Sequence, residues 1–222
     1  MGACGGKEAK PAADSAPAAE APKAETATPP QMEAGKVTDA HSALLVKAFV
    51  NMADAEVLKS CCTEDAWMSP PGAPKFSIEE MSGMLAGYKG TFPDWVSLCP
   101  ADKITFVSET DTEVVYKVFT QQNIGLMKAD LPAMGPFPAC TMDEAPARPK
   151  ETPTVMPFES GLVTVNKEKG LIVSGAWTGE LGEEAGATTM DFEPKVGMVM
   201  LYEKLLGLKM PEPPAAEEAK AE

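Results

Sequence analysis

The stretch Gly161–Trp177, GLVTVNKEKGLIVSGAW, decides the fold. Two β-branched runs, Leu162–Val165 and Leu171–Val173, flank the polar connection Asn166-Lys167-Glu168-Lys169-Gly170. A polar link of that length ending in glycine is the chemistry of a longer hairpin loop. Side chains alternate across a strand, so Leu171, Val173, Gly175 and Trp177 are predicted on one side and Ile172, Ser174 and Ala176 on the other. Glu113–Thr120, EVVYKVFT, is a second strong strand able to pair with the hairpin. The resulting sheet is predicted to curl around a pocket.

Upstream, Thr38 or Asp39 can cap a helix over Ala40–Met52, with Leu44, Ala48 and Phe49 on one stripe. Ala53–Cys62 reads as a second short helix, and Thr63–Met68 as a short edge strand halted by Ser69-Pro70-Pro71-Gly72. Ser77-Ile78-Glu79-Glu80 has the spacing of a capping box and opens a third helix with Met81, Met84, Leu85 and Tyr88 on one face. Phe92-Pro93 ends it, because a residue before proline avoids the helical region. Strands are predicted over Lys103–Ser108, Glu113–Thr120 and Ile124–Met127. The Pro-rich run 128–157 has no sustained period and reads as a lid, a binding loop or disorder. After the hairpin come a Gly/Glu-rich loop, Thr178–Met190, and a closing apolar helix, Lys195–Leu208, with Pro194 at its first turn and Asp191 just upstream.

The ends read differently. Residues 1–39 are mostly Ala, Pro, Glu and Lys, and 210–222 repeat that composition, so both are expected to bury too little apolar surface to offset the entropy of ordering. One domain, 40–209, is expected between them, with the Pro-rich insertion inside it. Met1-Gly2-Ala3-Cys4-Gly5-Gly6 resembles the start of an N-myristoylated chain, with Gly2 the acyl acceptor and Cys4 open to palmitoylation. Gly6 replaces the usual Ser or Thr, which favours an ordinary leader over acylation. The protein is expected in the cytoplasm, with peripheral membrane contact if the N-terminus is acylated.

The 222 residues carry a net charge of −14 and an isoelectric point near 4.6. Binding nucleic acid needs Lys/Arg clusters, and the chain has none, so that class of partner is excluded. No apolar run approaches the length that spans a bilayer. The 5 cysteines include the adjacent pair Cys61-Cys62 and no CxxC, and His41 is the single histidine. No metal site and no cofactor is expected. The cysteine pair reads as core packing, because a redox role needs a lowered thiol pKa and Lys59 is its only basic neighbour.

Helices followed by a meander of strands and a final helix is an α+β order. The chain resembles the nuclear transport factor 2-like superfamily, most closely its SnoaL-like polyketide cyclase branch. The resemblance is carried by Phe92-Pro93-Asp94-Trp95, by Glu113–Thr120 with Gly125, by Gly170-Leu171-Ile172 leading to Trp177, and by VGMVMLYEKLLG at Val196–Gly207. It implies a cone: a curved, mostly antiparallel sheet wrapped around the N-terminal helices, with an apolar pocket between them. It also implies proton abstraction next to a carbonyl by a buried carboxylate, with hydrogen-bond donors for the enolate.

The implied base is an Asp between the last-strand Trp and the closing helix. Asp191 holds that place if Thr178–Met190 is an insertion, and Glu180 holds it by counting from Trp177. A helix-capping role for Asp191 stands beside the catalytic one. The family histidine is missing from Gln121–Gly125, leaving Asn123 as the nearest polar group, with Tyr116 a second candidate donor. Compared with ketosteroid isomerases, Phe49 falls near the oxyanion-binding Tyr and Ser69 near the base, and His41 is expected to be exposed or capping. Pocket lining is expected from Trp67, Met84, Tyr88, Phe92, Tyr116, Met127 and Trp177, within a wider supply that includes Met68 and Phe119. The expected partner is a small apolar molecule, and the sheet face is a candidate homodimer surface. Two functions follow: a binding domain lacking the full catalytic set, or a cyclase/isomerase with Asp191 or Glu180 as base.

Overall fold

The structure is a computed structural model that describes residues 37–71, 73–135, 137–181 and 200–209. In chain order it contains α1 (Asp39–Val50), α2 (Ala55–Ser60), β1 (Cys62–Ser69), β2 (Phe76–Ser77), α3 (Ile78–Thr91), β3 (Val96–Leu98), β4 (Thr105–Glu109), β5 (Glu113–Gly125), α4 (Ala147–Glu151), β6 (Thr154–Val155), β7 (Glu159–Asn166), β8 (Leu171–Leu181) and a π-helical turn, Met200–Leu205. The expected hairpin is β7–β8. Asn166 closes its loop: its side-chain oxygen accepts from the Lys169 N–H at 2.8 Å and its carbonyl accepts from the Gly170 N–H at 2.9 Å. Gly170 adopts φ 62°, which explains glycine at the end of the loop.

Strict alternation along β8 fails at two points, one between Trp177 and Leu181 and one at Val173. Thr164 lies opposite Ser174, yet Val165 lies opposite Ile172, so Val173 is an extra residue on one strand. The bulge turns Ile172 inward beside Val165, both fully buried, and onto the side of Gly175 and Trp177. The predicted grouping of Ile172 with Ser174 and Ala176 is thereby corrected.

The sheet runs β2-β1-β8-β7-β5-β3, with β4 and β6 also on β5. Only β1 and β8 are parallel among the paired strands. β5 is longer than expected. It joins the separate strand predictions around 113–120 and 124–127 into one element ending at Gly125, because β3 and β6 pair with its polar stretch Gln121–Asn123. β1 is covered on its outer edge by β2, with Met68 opposite Phe76.

The helices follow their caps. Thr38 accepts from the His41 N–H at the start of α1, and the Asp54 carboxylate accepts from Glu56 and Val57 at the start of α2. The capping box of α3 is complete, with Ser77 and Glu80 each bonded to the other's backbone. The buried face of α3 includes the predicted Met81, Met84, Leu85 and Tyr88. Among the described residues no helix is long and apolar enough to cross a membrane.

The Pro-rich insertion is a packed part of this domain. Leu131 bridges Cys140 and Met134 bridges Phe137, a small ribbon whose side chains at every third position are buried. Phe137 stacks on Tyr202 at 5.3 Å and lies 6.3 Å from Phe76. The segment is tied to the end of α3, where Thr91 accepts from the Lys128 N–H and donates to the Asp130 carbonyl. Of the predicted closing helix only the part from Met200 on lies within the described residues.

If the insertion is core, truncating Phe137 must cost as much as truncating any central aromatic. Phe137→Ala is expected to lower unfolding free energy by about 3–5 kcal/mol in urea denaturation, whereas Leu162→Ala on the outer sheet face stays within about 0.5 kcal/mol. Equal effects would mean that the ribbon is a loose loop.

Candidate functional site

The concave face of the sheet is set by strand parity. Thr120, Gln122 and Ile124 of β5 point inward, and Glu159 of β7 lies opposite Thr120. Trp177 of β8 and Met68 of β1 continue this surface, while Met81, Leu85 and Tyr88 of α3 and its C-cap Phe92 face it. Met52, Trp95, Pro70, Pro71, Met156, Pro157 and Leu201 complete the wall of a cavity of about 110 Å³.

Trp177 is the most constrained member. A Cβ on Gly161 would come within 3.2 Å of its indole and one on Gly175 within 3.1 Å, so a side chain at either position presses on the ring. Its Nε1–H donates to Thr120 Oγ1 at 3.0 Å, and Phe49 packs edge-on at 5.3 Å. Tyr88 donates to the Tyr202 hydroxyl at 3.0 Å. Burial pushes both phenols up, Tyr202 to about 12, so the pair is neutral. Trp95 Nε1 and Gln122 Oε1 are buried without a hydrogen-bond partner in this wall.

Of the expected lining residues, Tyr88, Phe92 and Trp177 border the cavity and four do not. Trp67 falls on the other side of β1 from Met68, with Lys75 Nζ 3.8 Å over its ring. Met84 is buried on α3 but away from the cavity, and Met127 lies beyond the end of β5 with its N–H on the Pro149 carbonyl. Tyr116 is buried further down β5, its hydroxyl 2.6 Å from His41 Nδ1, and burial raises its pKa. His41 takes part in the cap of α1 through its N–H on Thr38, and its ring is in addition a partner of Tyr116. Phe119 is on the convex side under Lys117.

The expected catalytic groups are not brought together. Asn123 lies between Gln122 and Ile124 on β5, which puts it on the opposite face from the cavity. Glu180 is also outside: it pairs with Lys117 at 2.8 Å and accepts from Ser160 at 3.3 Å. Lys117 holds its carboxyl below the ordinary carboxylate range, the reverse of what a buried base requires. Asp191, Gly2 and Cys4 lie outside the described residues. Met52, Trp95, Gln122 and Glu159 line the cavity without having been expected there, although Trp95 belongs to the stretch that carries the resemblance. Parity could have found Gln122, two residues beyond Thr120, but Met52 and Trp95 come from loops without a period. Burial pushes the Cys62 and Cys99 thiols up to about 12, as suits core packing. Among the described residues no group of His, Cys, Asp and Glu could hold a metal ion.

Helices α1–α3 leading into a curled sheet, with a hollow on the concave side, is the arrangement implied by the resemblance. The fold is a mixed α+β one, a curled sheet with helices. No protein-family model and no curated protein matches the sequence. Among solved structures, the chain is similar to Aln2 from a Streptomyces species, with 11% identity over 62% of this chain and 86% of that one and a TM-score of 0.42. It is similar to a protein of cystatin-like fold from Caulobacter vibrioides, with 14% identity, coverage of 65% and 89%, and a TM-score of 0.43. A third is PrhC from Penicillium brasilianum, with 11% identity, coverage of 63% and 79%, and a TM-score of 0.39. Likeness at this level leaves substrate and reaction to be argued from the chain's own side chains.

Crowding the indole should be felt both in packing and in fluorescence. Gly161→Ala and Gly175→Val are each expected to destabilise by about 1–3 kcal/mol and to shift tryptophan emission. Gly83→Ala, on α3 with nothing near its Cβ, is expected to stabilise by about 0.5–1 kcal/mol and leave emission unchanged. For Glu180, folding lowers the pKa, so its contribution to stability is present above the ordinary value of 4.5 and lost as pH falls through the lowered one. Lys117→Met is expected to return the Glu180 titration, followed by carboxyl NMR, toward that ordinary value. A midpoint unmoved by the substitution would remove Lys117 as the cause.

Proposed function

We propose that this SnoaL-like protein holds a small, mostly apolar molecule on the concave side of its sheet and lacks the full catalytic set of the cyclases it resembles. The observation that carries the reading is the cavity walled by Met52, Met68, Met81, Met156 and the aromatic rings around them. Methionine adapts to irregular shapes, and a largely apolar hollow with a few polar groups is the usual make-up of a ligand site.

Absence of the family chemistry is supported residue by residue. Phe49, at the place of the oxyanion-binding Tyr, is fully buried against Trp177 and offers no donor. Ser69, near the place of the base, donates to the Ala73 carbonyl. Glu180 faces away from the cavity. The cyclase/isomerase alternative keeps only Asp191 as its named base.

Methionine methyl groups give a direct test. In 13C-methyl-Met protein titrated with toluene, the signals of Met52, Met68, Met81 and Met156 are expected to shift and saturate together. Met84 and Met127, buried but off the cavity, are expected to stay. No saturable shift, or a uniform drift of all methionines, overturns the binding reading. Asp191→Asn should leave the titration unchanged.

A further inference from the structure

Beside the cavity lies a second hollow, a cleft of about 270 Å³ between the α1–α2 turn, the end of α3 and β3. Met52 and Trp95 border both, so these two side chains form a partition between them. Gln122 belongs to the cavity wall and Ser97 to the cleft. The Gln122 Nε2 donates across to Ser97 Oγ at 3.3 Å and, to a weaker acceptor, to Met52 Sδ at 3.7 Å. The partition is incompletely bonded. Trp95 Nε1 and Gln122 Oε1 are buried within it without a hydrogen-bond partner, and an unpaired buried polar atom is costly. It is also soft. Met52 is unbranched and stands in the turn after α1, where moving its side chain breaks no helix.

The cleft differs from the cavity in chemistry. The exposed Val50 and Val96 give it an apolar rim, and Lys89 and Asp54 add one charge of each sign. The Lys89 ammonium donates to the Trp95 carbonyl at 2.7 Å and keeps protons for another acceptor. Asp54 Oδ1 accepts from Glu56 and Val57 at the start of α2. An ion of either sign in the cleft would meet one like charge, whereas a neutral polar group would not.

Resting on the binding reading above, we infer that the ligand site has two chambers and that its occupant is an elongated amphipathic molecule. Its apolar tail lies in the cavity and its neutral polar head in the cleft, with Met52 swung aside between them. The cleft more than doubles the room that the cavity of about 110 Å³ offers alone. Displacing Met52 also uncovers Trp95 Nε1 and Gln122 Oε1, one donor and one acceptor that the closed partition leaves unpaired.

The probe is 1-octanol, bound to the full chain with 13C-labelled Met and Val methyls. Intermolecular NOEs are expected from its C1 methylene to the Val50 and Val96 methyls, and from its terminal methyl to those of Met68 and Met81. Octanoate and octylammonium, of the same length, are each expected to bind about fivefold more weakly. Val96→Glu, in the cleft and outside the cavity wall, should weaken octanol about tenfold and leave toluene within about twofold.

Both ends of octanol against the cavity methionines, or both against the cleft valines, overturns the inference whether or not Val96→Glu folds. So does the reverse orientation, or an octanol affinity unmoved in folded Val96→Glu. A charged analogue binding as tightly as octanol overturns the neutral head. If toluene saturates the cavity methionines while octanol fails to span the partition, only the two-chamber inference falls. If neither shifts them, the ligand site itself falls with it.

Discussion

The indole of Trp177 occupies the volume that side chains at Gly161 and Gly175 would otherwise fill. Two adjacent strands therefore surrender their inward side chains to one rigid plane, fixed at its edge by Thr120 on a third strand. Such a plane cannot collapse to follow its surroundings as aliphatic side chains do. Phe49 of α1 packs edge-on against it, so the position of the first helix follows from the ring. The space left between that ring and Met81, Leu85 and Tyr88 of α3 becomes the cavity. Fold and pocket share one cause.

Parity explains what the sequence disclosed and what it hid. The hairpin was legible because its loop chemistry and apolar runs are local, and the α3 capping box for the same reason. The bulge at Val173 was not, since one extra residue leaves no mark in composition yet reverses every inward assignment beyond it. β5 was read as two strands because Gln121-Gln122-Asn123 interrupts the apolar pattern, and what holds that stretch is pairing with β3 and β6, a tertiary fact. The insertion carries a period of three in place of a helical or strand period. Leu131, Met134, Phe137 and Cys140 recur every third residue, and all four are buried.

The same parity sorts the carboxylates. Counting from Trp177 brings Glu180 into the neighbourhood of a family base, but β8 is irregular between Trp177 and Leu181, and Glu180 meets Lys117 and Ser160 on the other face. Glu159, with no motif to mark it, lies opposite the inward Thr120 and reaches the cavity wall. Sequence distance to a landmark is thus a weaker guide to chemistry than the face on which a residue falls. Of the expected site, the residues legible from sequence were Tyr88 and Trp177, on regular elements, and Phe92 at the C-cap of α3. Met52 and Trp95, on connections, needed coordinates.

The wall of the cavity is assembled from segments far apart in the chain, and the insertion holds two of them together. Leu201, in the last described turn, borders the cavity, and its neighbour Tyr202 is sandwiched between the Phe137 ring and the Tyr88 hydroxyl. Tyr88 in turn faces the cavity from α3. A ligand that orders Tyr88 therefore works on the same contacts that seat the Pro-rich ribbon, and loosening the ribbon loosens the wall. Binding and local stability are linked wherever one set of contacts serves both. The insertion in this fold acts as a structural part of the pocket, because the stack on Tyr202 gives it a fixed place.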